Sequence, residues 1–185
     1  MQVLVVVAHP KKNSFTHALT QEFVRGLALA GHSHRLLDLY QDRFDPLVTA
    51  QELENWQSTP RPPEIQTLQE AVRSAQGLAF IYPVWWGTPP AMLQGWLQRV
   101  FTEGFAFEYT KGGHGKLRHR AQLIINIGSH DERLHTYYVQ PLVGVLEYCG
   151  IRDIRRLVNW GIHPATPGTA IEGALQAAFT AGREF

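Results

Sequence analysis

Residues 2–8, QVLVVVA, are apolar at nearly every position, and this run narrows the possible folds more than any other stretch. A strand with one wet face alternates apolar and polar residues; a strand apolar on both faces must be covered on both. Similar runs return in HRLLDLY (34–40), GLAFIYP (77–83), AQLIINIG (121–128) and IRRLVNW (154–160). Between the first two, Phe15, Leu19, Phe23 and Leu27 recur every four residues, predicting a helix over 14–30 that lays one face on a sheet and stops at Gly31. Helices are also predicted over 64–75 and along the stripe Met92, Leu93, Trp96, Leu97, Val100 and Phe101 that follows Pro89 and Pro90. Two more are predicted, over 136–149 and 169–182. Residues 41–63 read as a long surface excursion. Strands alternating with amphipathic helices build a parallel sheet with helices on both sides. The expectation is one α/β domain, 1–185, with three layers around a doubly wound five-stranded parallel sheet of order 2-1-3-4-5. Such sheets take ligands beyond the carboxyl ends of their strands, where the order reverses. That directs attention to three loops: 9–14, 83–89 and 128–135.

Composition removes several function classes. The net charge is +1 with basic residues scattered, which argues against a nucleic-acid-binding surface. Nothing approaches the roughly 18 consecutive apolar residues a membrane span needs. The start, MQVLVVVAHP, lacks the basic region and cleavage pattern of a secretory signal. Cys149 is the only cysteine, so there is no internal disulfide, and a reducing, cytoplasmic setting is expected. No Cys/His spacing resembles a zinc site, and no metal is expected.

In the first loop, Asn13 or Ser14 can cap the helix and leave its first amides free for an anion. His9, Ser14 and Thr16 add side-chain donors, and Lys11 and Lys12 add charge. The glycines of G-x-G-x-x-G and of Walker A are missing, but hydroxyl and amide donors can hold a flavin phosphate without them. An ordinary N-cap with a histidine in the turn is the competing reading. The second loop, YPVWWGTPP, places two indoles after a buried strand, and Pro83 pushes the chain out of the ladder. The amides of Val84 to Gly87 are therefore expected to be free, beside an apolar wall, as an isoalloxazine ring requires. A tryptophan pair buried in the core, or in a dimer contact, is the alternative. The third loop, NIGSHDER, supplies Gly128 and Ser129 for close backbone approach, with Asn126 and His130 as polar side chains. A plain strand-to-helix connection explains it equally well.

AHPKKNSFTHAL (8–19) and YPVWWGTPPAMLQGWLQRVFTEGFAFEY (82–109) resemble motifs of the NAD(P)H:quinone oxidoreductases of the flavodoxin-like superfamily. That group holds quinone reductases, drug-activity modulators and ancillary proteins of potassium-efflux systems. The resemblance runs from residue 2 to about 163. It implies that His9, Asn13, Ser14, Phe15 and Thr16 bind the flavin phosphates, and that Pro83, Val84, Trp85, Trp86 and Gly87 contact the ring. It implies further ring support from Asn126, Ile127, Gly128 and Ser129, where the family usually carries T-T-G-G. Phe107 and Tyr109 match aromatics lining a substrate pocket across a homodimer interface. The family's proton-relaying tyrosine and histidine have no clean match here; His130 and Tyr137 are the nearest candidates, with His135 and Tyr138 beside them.

The activity implied is a two-electron, ping-pong transfer of a hydride from NAD(P)H, through bound FAD or FMN, to a quinone or similar flat acceptor. The segment DRFDPL (42–47) is similar to the FAD-binding quinone reductases and favours FAD. Two other functions compete: a flavin-binding regulatory subunit of a membrane transporter, and a flavodoxin-type electron carrier. Carriers are usually strongly acidic around the flavin, and 17 basic residues against 16 acidic ones speak against the last.

Overall fold

The computed structural model describes residues 1–54, 61–109, 114–163 and 165–185. Five strands form one parallel sheet: β1 (Gln2–Val7), β2 (Ser33–Asp38), β3 (Gly77–Pro83), β6 (Arg120–Ile127) and β7 (Asp153–Trp160). Their spatial order is β2-β1-β3-β6-β7, which is the predicted 2-1-3-4-5 once a separate two-residue pair is set aside. That pair, β4 (Phe107–Glu108) and β5 (His114–Gly115), is antiparallel and carries no period long enough to read from sequence. The helices are α1 (Phe15–Leu29), α2 (Ala50–Glu54), α3 (Pro63–Ser74), α4 (Ala91–Val100), α5 (His135–Tyr148) and α6 (Gly168–Arg183). Among the described residues, no helix is long and apolar enough to cross a membrane.

The apolar run of β1 does what its composition demands. Val3 and Val5 enter one core with Leu19 and Phe23 of α1 and Ala178 of α6. Leu4 and Val6 enter the other, with Val72 of α3, Trp96 of α4 and Leu142 of α5. Successive side chains of a strand point to opposite faces, so one sequence feeds two cores. On the α1–α6 side the helices meet backbone to backbone. A Cβ at Gly26 would lie 2.1 Å from the Phe179 carbonyl oxygen, and one at Gly182 only 2.0 Å from that of Phe23.

Two departures from expectation matter for the site. The second strand ends at Asp38 instead of running to residue 40, because the Asp38 carboxylate accepts the amides of Tyr40 and Gln41 and turns the chain. The surface excursion is anchored inward as well. Arg99 of α4, 5% exposed, donates to Glu52 of α2 at 2.9 Å, to Glu64 of α3 at 3.0 Å and to the Asp45 carbonyl at 2.7 Å. The remainder of that excursion, 55–60, lies outside the described residues.

Candidate functional site

The loops after β1, β3 and β6 meet at the carboxyl edge of the sheet, on either side of the point where strand order reverses. Ser14 caps α1 from an extended conformation, and its Oγ accepts the His17 amide at 3.2 Å. The amides of Phe15 and Thr16 meet no acceptor among the described residues, so the helix opens with bare donors at the positive end of its dipole. His9 Nδ1 lies 3.1 Å from the Lys11 amide and 3.3 Å from the Lys11 carbonyl, so the loop's own backbone engages that nitrogen and Nε2 has no hydrogen-bond partner among the described residues. Burial lowers the His9 pKa, so the neutral ring is favoured and His9 serves as a donor more than as a fixed charge. Asn13, Lys11 and Lys12 are exposed around it. Sequence reading missed the group behind Ser14: His17 Nδ1 lies 2.8 Å from Ser14 Oγ, and His17 Nε2 lies 2.8 Å from Asp38 Oδ2. Helical spacing hints at the first contact, but only the β1–β2 pairing delivers Asp38.

The second loop turns back on itself. Trp85 and Thr88 exchange both backbone hydrogen bonds, at 3.0 and 3.2 Å, around Trp86 at φ 51° and Gly87 at φ 80°. Two positive φ values make this a type I′ turn, in which glycine is at ease and tryptophan is not. The expectation of four free amides is corrected here. Val84 donates to the Asn126 carbonyl at 2.8 Å and Trp85 to Thr88, because the hairpin and the neighbouring strand claim them. Only the Trp86 and Gly87 amides lack acceptors among the described residues. Nor are the indoles buried together: Trp85 is 40% exposed with its ring 5.8 Å from that of His9, and Trp86 is wholly in solvent. Pro83 and Val84 are half-buried beneath them. Tyr138 stands close by, its Cε1 being 3.9 Å from where a Cβ on Gly87 would sit.

Asn126 proves to be the fastener of the third loop. Its side chain is buried, donates to Thr16 Oγ1 at 3.2 Å and accepts from Asn159 Nδ2 at 2.9 Å. Thr16 is buried too, and its hydroxyl is engaged by Asn126, which leaves its amide as the group without a partner among the described residues. Asn159 was not anticipated; the only hint is a polar residue in a strand, placed opposite Asn126 by the register. Ile127 is buried, Gly128 exposed, and Ser129 accepts the Gly161 amide through its carbonyl and the Asp131 amide through Oγ.

His130 packs its ring 5.8 Å from that of His163, while His135 and Tyr138 flank Trp160. Tyr137 is 72% exposed and lines a groove of about 800 Å³ between α4 and α5. Phe107 lines the same groove, with its ring 5.2 Å from both Tyr109 and Tyr148. The groove's lining is mostly apolar, through Leu97, Phe101 and Val145.

The edge thus offers two kinds of chemistry side by side. Bare amides, Ser14 and His9 suit an oxyanion. The Trp85 and Trp86 faces, with two unclaimed amides in the same turn, suit a flat ring bearing acceptors. The donor set fits a phosphorylated flavin, and both indoles stand exposed at the edge, not packed into the core.

Residues 1–180 match the model of the family described as having a flavodoxin-like fold. The chain is 30% identical over 172 residues to an uncharacterised NAD(P)H oxidoreductase of Haemophilus influenzae, covering 88% of this chain and 85% of that one. It is 29% identical to NAD(P)H dehydrogenase [quinone] 1 of Cavia porcellus, covering 92% of this chain and 72% of the relative. The NAD(P)H:quinone oxidoreductase from Methanothermobacter marburgensis superposes with a TM-score of 0.90 at 29% identity, over 99% of this chain and 98% of that one. Sheet order, edge loops and these relatives agree, and the chain belongs to the NAD(P)H:quinone oxidoreductase family of flavodoxin-like fold.

Proposed function

We propose that this protein is a flavin-dependent NAD(P)H oxidoreductase that reduces a quinone or a similarly flat acceptor. The observation that carries the reading is the adjacency of an anion cradle at the start of α1 to the Trp85–Trp86 turn, 5.8 Å apart at the His9 and Trp85 rings. A bound flavin would supply the redox chemistry, two-electron transfer between NAD(P)H and the acceptor. The protein's part is placement. The Phe15 and Thr16 amides, Ser14, Asn13 and His9 hold the phosphate end. The Trp86 and Gly87 amides, without acceptors among the described residues, would hold the acceptor edge of the ring, and their dipoles would favour negative charge there. Pro83, Val84 and the Trp85 indole form its wall, and the 126–129 loop supports it from the third side. One face left open to solvent would serve donor and acceptor in turn, as ping-pong exchange requires. Tyr138, near Gly87, is better placed than Tyr137 or His130 to donate a proton.

A second copy of the chain is the partner this reading puts across the α4–α5 groove, so that Phe107 and Tyr109 complete the neighbour's substrate pocket. FAD is put forward over FMN, on the DRFDPL segment. The decisive experiment purifies the protein, records its visible spectrum, identifies any released flavin and adds NADPH without oxygen. Two-electron bleaching supports the proposal. A colourless protein that takes up neither FMN nor FAD ends it.

A further inference from the structure

Behind the anion cradle stands a row of three polar side chains that ordinary capping does not require: Ser14, His17 and Asp38. His17 and Asp38 are 14% and 12% exposed at the side chain, and the Asp38 carboxylate is fixed by the Tyr40 and Gln41 amides, both at 3.2 Å. The hydrogen-bond inventory of this row has few solutions. Asp38 Oδ2 at 2.8 Å demands a proton on His17 Nε2, since a bare imidazole nitrogen facing a carboxylate would set lone pair against lone pair. The open question is the proton between Nδ1 and Ser14 Oγ, also 2.8 Å apart. If the imidazole is neutral, Ser14 must donate its single O–H to Nδ1, and the cradle then meets only an oxygen lone pair. If it is cationic, Nδ1 donates to Ser14, whose second lone pair takes the His17 amide, and the hydroxyl proton is released to point outward. An anionic phosphate oxygen repels the first arrangement and completes the second.

We propose that His17 is the positioning residue of the cofactor site: it takes up a proton from solvent when the flavin phosphate binds and so turns the Ser14 hydroxyl into a donor to that phosphate. The inference rests on the flavin reading above and adds to it a proton that travels with the ligand. Among the described residues, the charged or titratable groups around His17 are Asp38, Asp42 bonded to the Asp38 amide, His9 with rings 6.2 Å apart, and Lys11 beyond His9. The Asp38 carboxylate is the direct partner and holds the imidazolium; His9 and Lys11 oppose it from farther off. One proton passes from solvent to His17 Nδ1 as the ligand binds, and no bond between heavy atoms changes.

The test is calorimetric titration of flavin-free protein with FAD and with FMN, in two buffers of different ionisation enthalpy, from about pH 6 to about pH 8.5, the range in which imidazoles titrate. FAD is the cleaner probe, because its diphosphate keeps its charge where the FMN monoester still titrates. The wild type should absorb a fraction of a proton on binding and lose about ten-fold in affinity across the range, the worth of one charge-assisted hydrogen bond. His17→Asn puts an amide N–H where protonated Nδ1 stood, so the hydroxyl is released at every pH. Its proton uptake should fall, its profile should flatten, and the two affinity curves should cross, with the variant tighter at high pH. Ser14→Ala should bind more weakly throughout and be equally flat, which tests the idea even if His17→Asn folds poorly. Equal proton uptake and parallel curves in wild type and both variants, with binding intact, overturn the role of His17 and leave the flavin reading standing. Failure of either flavin to bind at all removes both.

Discussion

Asn126 Nδ2 donates to Thr16 Oγ1 at 3.2 Å, tying the end of β6 to the first turn of α1 across 110 residues of sequence. Through Asn126 Oδ1 the tie continues to Asn159 on the edge strand. Two of the three loops at the carboxyl edge are therefore held in register by one buried amide.

Replacing Asn126 with Ala removes that amide and strands both partners. Orphaned buried polar groups cost about 1–3 kcal/mol each, so with two of them chemical denaturation should show a loss of about 2–6 kcal/mol. Combining it with Asn159→Ala should cost clearly less than the sum, because the second change removes a donor already left without its acceptor. Strict additivity would show that the amide chain carries no stability.

Arg99 predicts both a large loss and a pH dependence. Arg99→Met leaves Glu52 buried without its counter-charge, and breaking such a pair costs about 3–5 kcal/mol. Burial works to raise the Glu52 carboxyl, but the Thr49 amide and hydroxyl and Arg99 outweigh it and hold the group below its ordinary value of 4.5. A carboxyl lowered on folding stabilises above its unfolded pKa, and that stability drains away as pH falls through the folded one. Wild-type melting should therefore decline as pH falls through about 4.5, where the unfolded carboxyl is half protonated, and on toward the lower folded value. Glu52→Gln should be less stable near neutrality and should flatten that acid limb. An unchanged limb in the variant would assign the acid sensitivity to other carboxylates.

Trp86 is wholly exposed at φ 51°, so its indole contributes no burial while its backbone is strained. Trp86→Asn keeps the turn with a residue suited to the left-handed region, and thermal unfolding should show a gain of about 1 kcal/mol. The same variant should retain flavin less well, if the strained residue serves ligand binding at the expense of stability. A stable variant with undiminished flavin retention would remove Trp86 from the site.

Gly144 lies in α5 on the α4–α5 groove, and a Cβ there would touch nothing within 4 Å. Gly144→Arg should leave the monomer fold intact and even improve helix propensity, by about 0.8 kcal/mol. It should block a second copy from closing the groove. Sedimentation equilibrium should find the wild type at twice the chain mass and the variant at one. Unchanged assembly would place the dimer contact elsewhere, or show that none forms.

Much of the architecture was legible in the chain because burial is written as periodicity. The run QVLVVVA demanded cover on both faces, and the four-residue spacing of Phe15, Leu19, Phe23 and Leu27 named the helix that supplies it on one side. The carboxyl-edge location of the loops followed from the sheet order alone. What the sequence could not convey depends on contacts between distant segments. The pairing of β1 with β2 brings Asp38 to His17, and the register of β6 with β7 brings Asn159 to Asn126. Arg99 reads as one charge on an amphipathic helix until three elements close around it. Local pattern fixes which residues leave water; only the closed tertiary structure decides which polar groups, once out of water, find each other.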